Sequence, residues 1–312
     1  MRNMKNKVIV ILGPTASGKT GLGIQLAKHL NGEIISGDSM QVYRGMDVGT
    51  AKPSMAEREG IPHYLIDILD ISEKFSVASF CTFATEAVED ICSRGKTPII
   101  VGGTGMYIET LVSGKLYETE TADEGKRLEY QRFAEENGAL ALHARLAELD
   151  PVSAEKIHPN NVKRVIRAIE IAVTGGDTKS DLEKNLKANK PFESLMLYLT
   201  PPDRETMYSR INKRVDIMMD MGLLDEVIRL DKAGLRNTPT ASQAIGYKEF
   251  FPYIDGEASL TECVEKLKQH TRNYAKRQTT YFGHMEGLTP VCALENSGES
   301  AKRICEQWLK TL

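Results

Sequence analysis

The sequence predicts an α/β fold, a doubly wound parallel sheet carrying a helical insertion, on three observations. Val8 to Leu12 is an unbroken apolar run closed by Gly13, the pattern of a strand buried on both faces. Strand-like and helix-like patterns then alternate up to about Lys115, the rhythm of a parallel sheet with crossover helices. Beyond that point polar-rich helical patterns run without strands until an apolar stretch returns near Ser194.

In chain order, the strand Val8–Leu12 gives way to a helix from about Gly18 to Leu30, stopped by Asn31-Gly32. Glu33 to Ser36 is a second short strand. From Ser76, the residues Val77, Phe80, Cys81, Ala84, Ala87, Val88, Ile91 and Cys92 keep helical spacing up to Arg94-Gly95, and Pro98 to Val101 is another buried strand. Glu124 to Leu149 and Val162 to Val173 read as helices, followed by Gly175-Gly176-Asp177 and a lysine-rich stretch. Ser194 to Leu199 is strand-like, Pro201-Pro202-Asp203 launches a helix, and the capping box Ser259-x-x-Glu262 opens another that runs to about Tyr281. These patterns divide the chain into a core at 1–117, a helical insertion at 118–192, and a resumed core with C-terminal helices at 193–312. No repeat and no low-complexity tract interrupts them.

Composition narrows the function. The chain has 312 residues, 41% hydrophobic and 27% charged, with a formal net charge of −3, so any nucleic-acid surface must be a local patch. Cys81, Cys92, Cys263, Cys292 and Cys305 are an odd, scattered set without a C-x-x-C pair, which argues against a disulfide framework and a zinc module. The N-terminal apolar run is too short for a signal peptide, and no stretch approaches a membrane span, so a cytoplasmic protein is expected. A monomer is expected as well, though no sequence feature sets the oligomeric state.

Gly13-Pro14-Thr15-Ala16-Ser17-Gly18-Lys19-Thr20 fits G-x-x-x-x-G-K-[ST] in full, after a strand and opening a helix. The glycines let successive N–H groups turn toward phosphate oxygens, and the helix N-terminus adds positive potential. Lys19 supplies a point charge, and the Thr20 hydroxyl is placed to ligate Mg²⁺. The core is therefore of the P-loop NTPase type. The loop does not say what carries the phosphates: an NTPase, a small-molecule kinase and an enzyme expelling diphosphate would all use it. Asp38, just past the second strand, sits where open α/β sheets bind ligands, and is either a proton acceptor or a turn aspartate. Gly102-Gly103-Thr104-Gly105 brings the Thr104 hydroxyl to the same sheet edge, or is simply a tight turn.

Seven stretches taken together resemble the tRNA dimethylallyltransferase (isopentenyl-tRNA transferase) family: GPTASGKT, DSMQVY (Asp38 to Tyr43), GTAKP (Gly49 to Pro53), VGGTGMY, RVIRAIE (Arg164 to Glu170), AIGYKE (Ala244 to Glu249) and TRNYAKRQ (Thr271 to Gln278). The resemblance implies transfer of a five-carbon prenyl group from dimethylallyl diphosphate to the exocyclic amine of the adenine following the anticodon. It puts Thr15 to Thr20 on the diphosphate and Asp38 on the general base. It puts Asp38, Ser39, Met40, Gln41 and Thr104 against the target base, with Asp38 and Thr104 catalytic. Lys163, Arg164, Val165, Ile166 and Arg167, and Gln243, Ala244, Ile245, Gly246, Tyr247 and Lys248, fall on segments that contact the tRNA anticodon stem-loop.

Other charges fit that reading. Arg210 and Arg214, four apart on one helix, can close over the phosphates, or are solvated helix charges. Lys268, Arg272 and Lys276 recur at i, i+4, i+8 as a basic stripe for RNA phosphates, and Lys163 and Arg167 share a face of the insertion. Two positions depart from the family pattern. Tyr64 follows His63 where paired histidines are usual, and Thr280-Tyr281-Phe282-Gly283 stands where Thr-Trp-Phe-Arg is usual. His63 reads as a structural hydrogen-bonding group and Trp308 as helix packing. The competing functions are an adenylate isopentenyltransferase acting on AMP, ADP or ATP, a P-loop small-molecule kinase, and a non-catalytic RNA-binding module. The insertion disfavours the first, GTAKP and AIGYKE have no task in the second, and the third leaves the phosphate loop unexplained.

Overall fold

The computed structural model describes residues 6–114, 124–175, 190–201, 203–293 and 297–311. Of the sequence expectations, Pro202, the Gly176-Asp177 and lysine-rich stretch, and positions 118–123 lie outside the described residues. The chain forms two compact units, Met1–Gly114 with Lys190–Leu312, and Lys115–Asn189.

Among the described residues, the first unit is built on six parallel strands: β1 (Lys7–Leu12), β2 (Gly32–Ser36), β3 (His63–Tyr64), β4 (Thr97–Gly102), β5 (Glu193–Thr200) and β6 (Leu288–Cys292), in the spatial order β3-β2-β4-β1-β5-β6. β1 is central because both its faces are apolar: Val8 to Leu12 are fully buried. Val8, Val10 and Leu12 point into one core and Ile9 and Ile11 into the other, as the two-residue period of a strand requires. α1 (Lys19–His29) covers the Ile9–Ile11 face through Leu22, Ile24 and Leu26, and α2 (Val77–Ser93) covers the other through Phe80, Ala84, Val88 and Ile91. Ser76 caps α2 by accepting from the Ser79 amide at 3.1 Å. α3 (Gly105–Ser113) follows β4 directly.

The two edge strands have no counterpart in the sequence patterns. β3 is two residues long, below the reach of any periodicity, and β6 contains Pro290, which an edge position tolerates because no ladder donor is required there.

Residues 118–192 were expected to be one insertion, and the second unit spans Lys115–Asn189. Its helices are α4 (Glu124–Asn137), α5 (Ala139–Leu149), α6 (Pro151–Lys156) and α7 (Val162–Gly175). The helical pattern from Glu124 to Leu149 is two helices, divided at Gly138, whose φ of 87° leaves the helical region. Leu142, Leu146, Val165, Ala168 and Ile169 form this unit's own core. Buried Glu170 accepts a bidentate pair from Arg127, both bonds 2.9 Å, and a longer one from Arg167.

After β5 come α8 (Arg204–Asp220), capped by Asp203 at 2.7 Å from the Thr206 amide, α9 (Leu223–Lys232), a run of short 3₁₀ turns, α10 (Phe251–Ile254), α11 (Leu260–Gly283) and α12 (Ser297–Leu309). The capping box of α11 is complete, and Trp308 of α12 packs at the margin of the Ile9–Ile11 core. Among the described residues no helix is long and apolar enough to cross a membrane.

Candidate active site

The phosphate loop runs from the end of β1 into α1, with Gly18 as the helix cap. Lys19 folds back so that its Nζ donates to Pro14 O at 2.6 Å and lies 3.5 Å from Ser17 Oγ. Burial, and then the Arg214 guanidinium, push the Lys19 ammonium down to about 7, with the Asp38 carboxylate pulling the other way. A half-buried ammonium on the edge of losing its proton is a cation waiting for an anion.

Two further sheet-edge turns face this loop. Asp38 forms an Asx turn after β2, its Oδ1 accepting from the amides of Met40 at 2.8 Å and Gln41 at 3.3 Å, which pins the carboxylate without using Oδ2. After β4, Gly103 leads into Thr104, whose amide donates to Gly37 O at 3.4 Å. Thr104 Oγ1 is buried and makes no hydrogen bond within the protein.

A divided cavity lies among these turns. The chamber on the phosphate side, of about 100 Å³, is lined by Lys19, Thr20, Ser36, Gln41 and His63 and by the apolar Ile34, Ile66 and Val101. Its neighbour, of about 200 Å³, is lined by Ser39, Met40, Gln243, Ala244, Ile245 and Gly246 and by Ile211, Val215, Met218 and Leu267. Thr15, Asp38, Thr50, Ala51, Arg214 and Tyr274 belong to both. Arg214 Nη1 donates to Thr15 Oγ1 at 3.3 Å, so the cation stands where the two chambers join. Burial, then the charge of Asp38, raise the Tyr274 phenol to about 12, so it stays a protonated donor on that shared wall. His63 Nδ1 donates to Ile61 O at 2.8 Å, the expected structural bond, but its buried Nε2 is unpartnered beside the phosphate-side chamber.

The far wall is held by a buried carboxylate. Glu226 of α9 accepts from the amides of Asp47 (3.0 Å), Val48 (2.9 Å) and Gly49 (3.0 Å) and from the Tyr247 hydroxyl (2.7 Å). GTAKP and AIGYKE thus pack on one another: a side chain on Gly49 would fall 2.5 Å from the Tyr247 ring. Glu249 does the same locally, accepting from the Gly246 amide and His270 Nδ1. These bonds fix the loops that present Thr50, Ala51, Ile245 and Gly246 to the cavity.

The remaining expected site residues separate into cavity, surface and core. Arg210 lines neither chamber; it is exposed on an adjoining groove whose wall includes Ala16 to Thr20 of the phosphate loop and Arg214, together with Met55 and Met221. Lys163 and Arg164 are exposed on the second unit, whereas Val165 and Ile166 are buried in its core and offer RNA no side chain, because they form the apolar face of α7. Gln243 and Lys248 are exposed, Ala244 is buried at the wall of the second chamber, and Tyr247 is a core residue. The α11 stripe is not free either: Lys268 pairs with Asp216 at 2.8 Å and Glu265 at 3.2 Å, and Arg272 donates to Asn212 at 2.6 Å, leaving Lys276 exposed. The two departures have structural partners. Tyr64 donates to Glu33 at 2.8 Å within a network with Arg94, whose hydrogen bonds hold the Glu33 carboxyl down at about 2. Tyr281 packs over Gly105, where a Cβ would lie 2.5 Å from its ring, and bonds Glu109.

Sequence reasoning left Tyr274, Gln278 and Glu226 without roles. The signal for the first two was present: Leu267, Thr271, Tyr274, Gln278 and Phe282 share one face of α11, and two polar groups among core-facing positions ask for partners. Nothing local marks Glu226.

A phosphate loop and a carboxylate turn facing one divided cavity define a P-loop α/β protein with a cleft suited to a phosphate-bearing ligand. Comparison with known proteins makes this specific. The family model for IPP transferase matches residues 41–285. The tRNA dimethylallyltransferase of Bacillus subtilis (strain 168) is 51% identical over 289 residues, 93% of this chain and 91% of that one. The tRNA isopentenylpyrophosphate transferase of Bacillus halodurans aligns in structure with a TM-score of 0.71 and 43% identity, over 98% of this chain and 96% of that one. A eukaryotic dimethylallyltransferase acting on tRNA aligns with a TM-score of 0.84 and 34% identity, over 97% of this chain and 79% of that one. The chain belongs to the IPP transferase family.

Proposed function

We propose that this enzyme transfers a dimethylallyl group from dimethylallyl diphosphate to the exocyclic amine of the adenine 3′ to the anticodon in tRNA, releasing diphosphate. The observation that carries the reading is the divided cavity, with a diphosphate cradle on one side and Asp38 at the junction.

The adenine amine is a weak nucleophile because its lone pair is delocalised into the ring. As that lone pair attacks the allylic carbon, the carbon–oxygen bond breaks and its electrons leave on the diphosphate, while the amine proton passes to the Asp38 carboxylate. Loop amides and Lys19 stabilise the charge gathering on the leaving group, and Arg214 reaches it from the junction. The adenine occupies the chamber of Ser39, Met40 and Gln243 to Gly246, which requires it to leave its stack and favours a loop substrate over a duplex. Tyr274 supplies a hydroxyl at the meeting point.

Among the described residues no cluster of three or more His, Cys, Asp or Glu side chains could hold a metal. Thr20 in a phosphate loop fits Mg²⁺ all the same, since this ion takes one or two protein oxygens and otherwise phosphate oxygens and water. Bound there, it would neutralise charge on the departing diphosphate. Exposed Lys163, Arg164, Gln243, Lys248 and Lys276 are the RNA-contacting candidates.

The test is to supply radiolabelled dimethylallyl diphosphate with unmodified tRNA, AMP or ATP as acceptor. Label in tRNA alone is expected. Label in a mononucleotide would overturn the tRNA assignment, and phosphoryl transfer from ATP to a hydroxyl compound would overturn the prenyl assignment.

A further inference from the structure

We infer that Gln278 is a positioning residue of this reaction, a carboxamide strut that holds the phosphate loop and the Gly103–Thr104 turn at the spacing where donor and target amine meet. The inference rests on the functional reading above. Its geometry does not.

Gln278 lies on α11, far in sequence from both loops, and is 6% exposed. Its Oε1 accepts from the Thr15 amide at 2.9 Å, and its Nε2 donates to Gly103 O at 2.9 Å, an oxygen shared with the Gly105 amide. The orientation of the amide is dictated by these partners, because a flip would face donor to donor and acceptor to acceptor. Each end holds a loop that touches the reaction. Thr15 lines both chambers and receives Arg214, while Thr104 follows Gly103 and its amide bonds Gly37 O, next to Asp38. The Asp38 and Thr104 turns are already joined through the Gly37 amide to Val101 O at 2.8 Å. Gln278 adds the phosphate loop to that pair.

Gly103 supports the same conclusion. Its backbone is not among the positive-φ positions, so conformation does not demand glycine. Space does: a Cβ would lie 2.3 Å from Gln278 Nε2, with its next neighbour, Gly13 O, at 3.5 Å. The middle glycine of the Val101–Gly105 turn therefore makes room for an amide from another element. Since misplacing reacting groups by about 1 Å can cost on the order of 10²-fold in rate, a strut here acts on turnover.

The experiment is kinetic, on the full chain with dimethylallyl diphosphate and unmodified tRNA. Gln278→Ala is expected to lower kcat about 10- to 100-fold and weaken the donor Kd about threefold to tenfold, with tRNA affinity within threefold of wild type. Gly103→Ala is expected to do the same by pushing the amide aside, and the double variant should be no worse than Gln278→Ala within about twofold. A packing role alone would lower the melting temperature without this split. Wild-type kcat in Gln278→Ala, or losses that multiply in the double variant, would overturn the strut. Should Gln278→Ala not fold, Gln278→Glu keeps the size and the Thr15 acceptor but turns an oxygen on Gly103 O; wild-type kcat in it would equally overturn the strut. If the wild-type chain labels no tRNA, the functional reading fails, and the strut is judged on donor affinity alone, an unchanged Kd in Gln278→Ala overturning it.

Discussion

The two walls of the cavity are made in opposite ways. The phosphate wall comes from eight consecutive residues, Gly13 to Thr20, and the proposed binding falls to their backbone and one lysine. The acceptor wall is gathered from Asp38 to Met40, Gly49 to Ala51 and Gln243 to Gly246, and is held in place by Glu226, which touches neither chamber. The first wall is a local structure that offers its own main chain to the proposed ligand. The second is a tertiary structure in which residues remote from the ligand set the shape that the ligand meets.

Removing the reactive group common to both chambers should have the largest effect. Asp38→Ala is expected to lower single-turnover prenyl transfer by 10²- to 10⁴-fold while tRNA still binds; unchanged turnover would remove its role as base. Next comes the support of the acceptor wall. Glu226→Ala leaves three amides and a phenol without their acceptor and is expected to cost about 3 kcal/mol in denaturant unfolding, with Tyr247→Phe costing about 1 kcal/mol. In any folded Glu226 variant tRNA affinity should fall more than donor affinity, and equal losses would erase the distinction between the walls.

The phosphate wall should respond to pH instead. In the free enzyme Lys19 loses its proton above about 7, whereas a bound diphosphate favours the ammonium, so donor binding takes up a proton at higher pH. The donor Kd is therefore expected to rise by up to about tenfold per pH unit from 7 to 9, and Lys19→Met should bind weakly at every pH; a flat wild-type profile would contradict this account. The smallest effect belongs to the surface. Lys276→Ala is expected to weaken tRNA binding about twofold at low salt and to reduce the salt slope by about one, with Lys268→Ala smaller because Asp216 and Glu265 already pair it.

The same contrast decides what could be read in advance. β1, the loop and α1 were legible because strand pattern, glycine spacing and lysine are neighbours in the chain. Asp38 was legible as a position at a strand end, but its place at a junction depends on α8 and α11, which bring Arg214 and Tyr274 to the shared wall. The basic stripe on α11 was legible as a periodicity, yet periodicity does not say that α8 brings Asp216 and Asn212 against it. Val165 and Ile166 fall in a segment that the resemblance puts on tRNA, but helical spacing already sets them, with Val162 and Ile169, on a face away from Lys163 and Arg167, and the packing of α7 buries that face. Tyr64 and Tyr281 looked like losses against the family pattern, and each proves to be partnered, through Glu33 and over Gly105.

The contact of Gly49 with Tyr247 has a consequence for descent. A methyl on one requires the other to shrink, and both are anchored on one carboxylate, so the two signature strings cannot drift independently. They are one constraint written twice, about two hundred positions apart, and a chain that changed either alone would be selected to change the other or to revert.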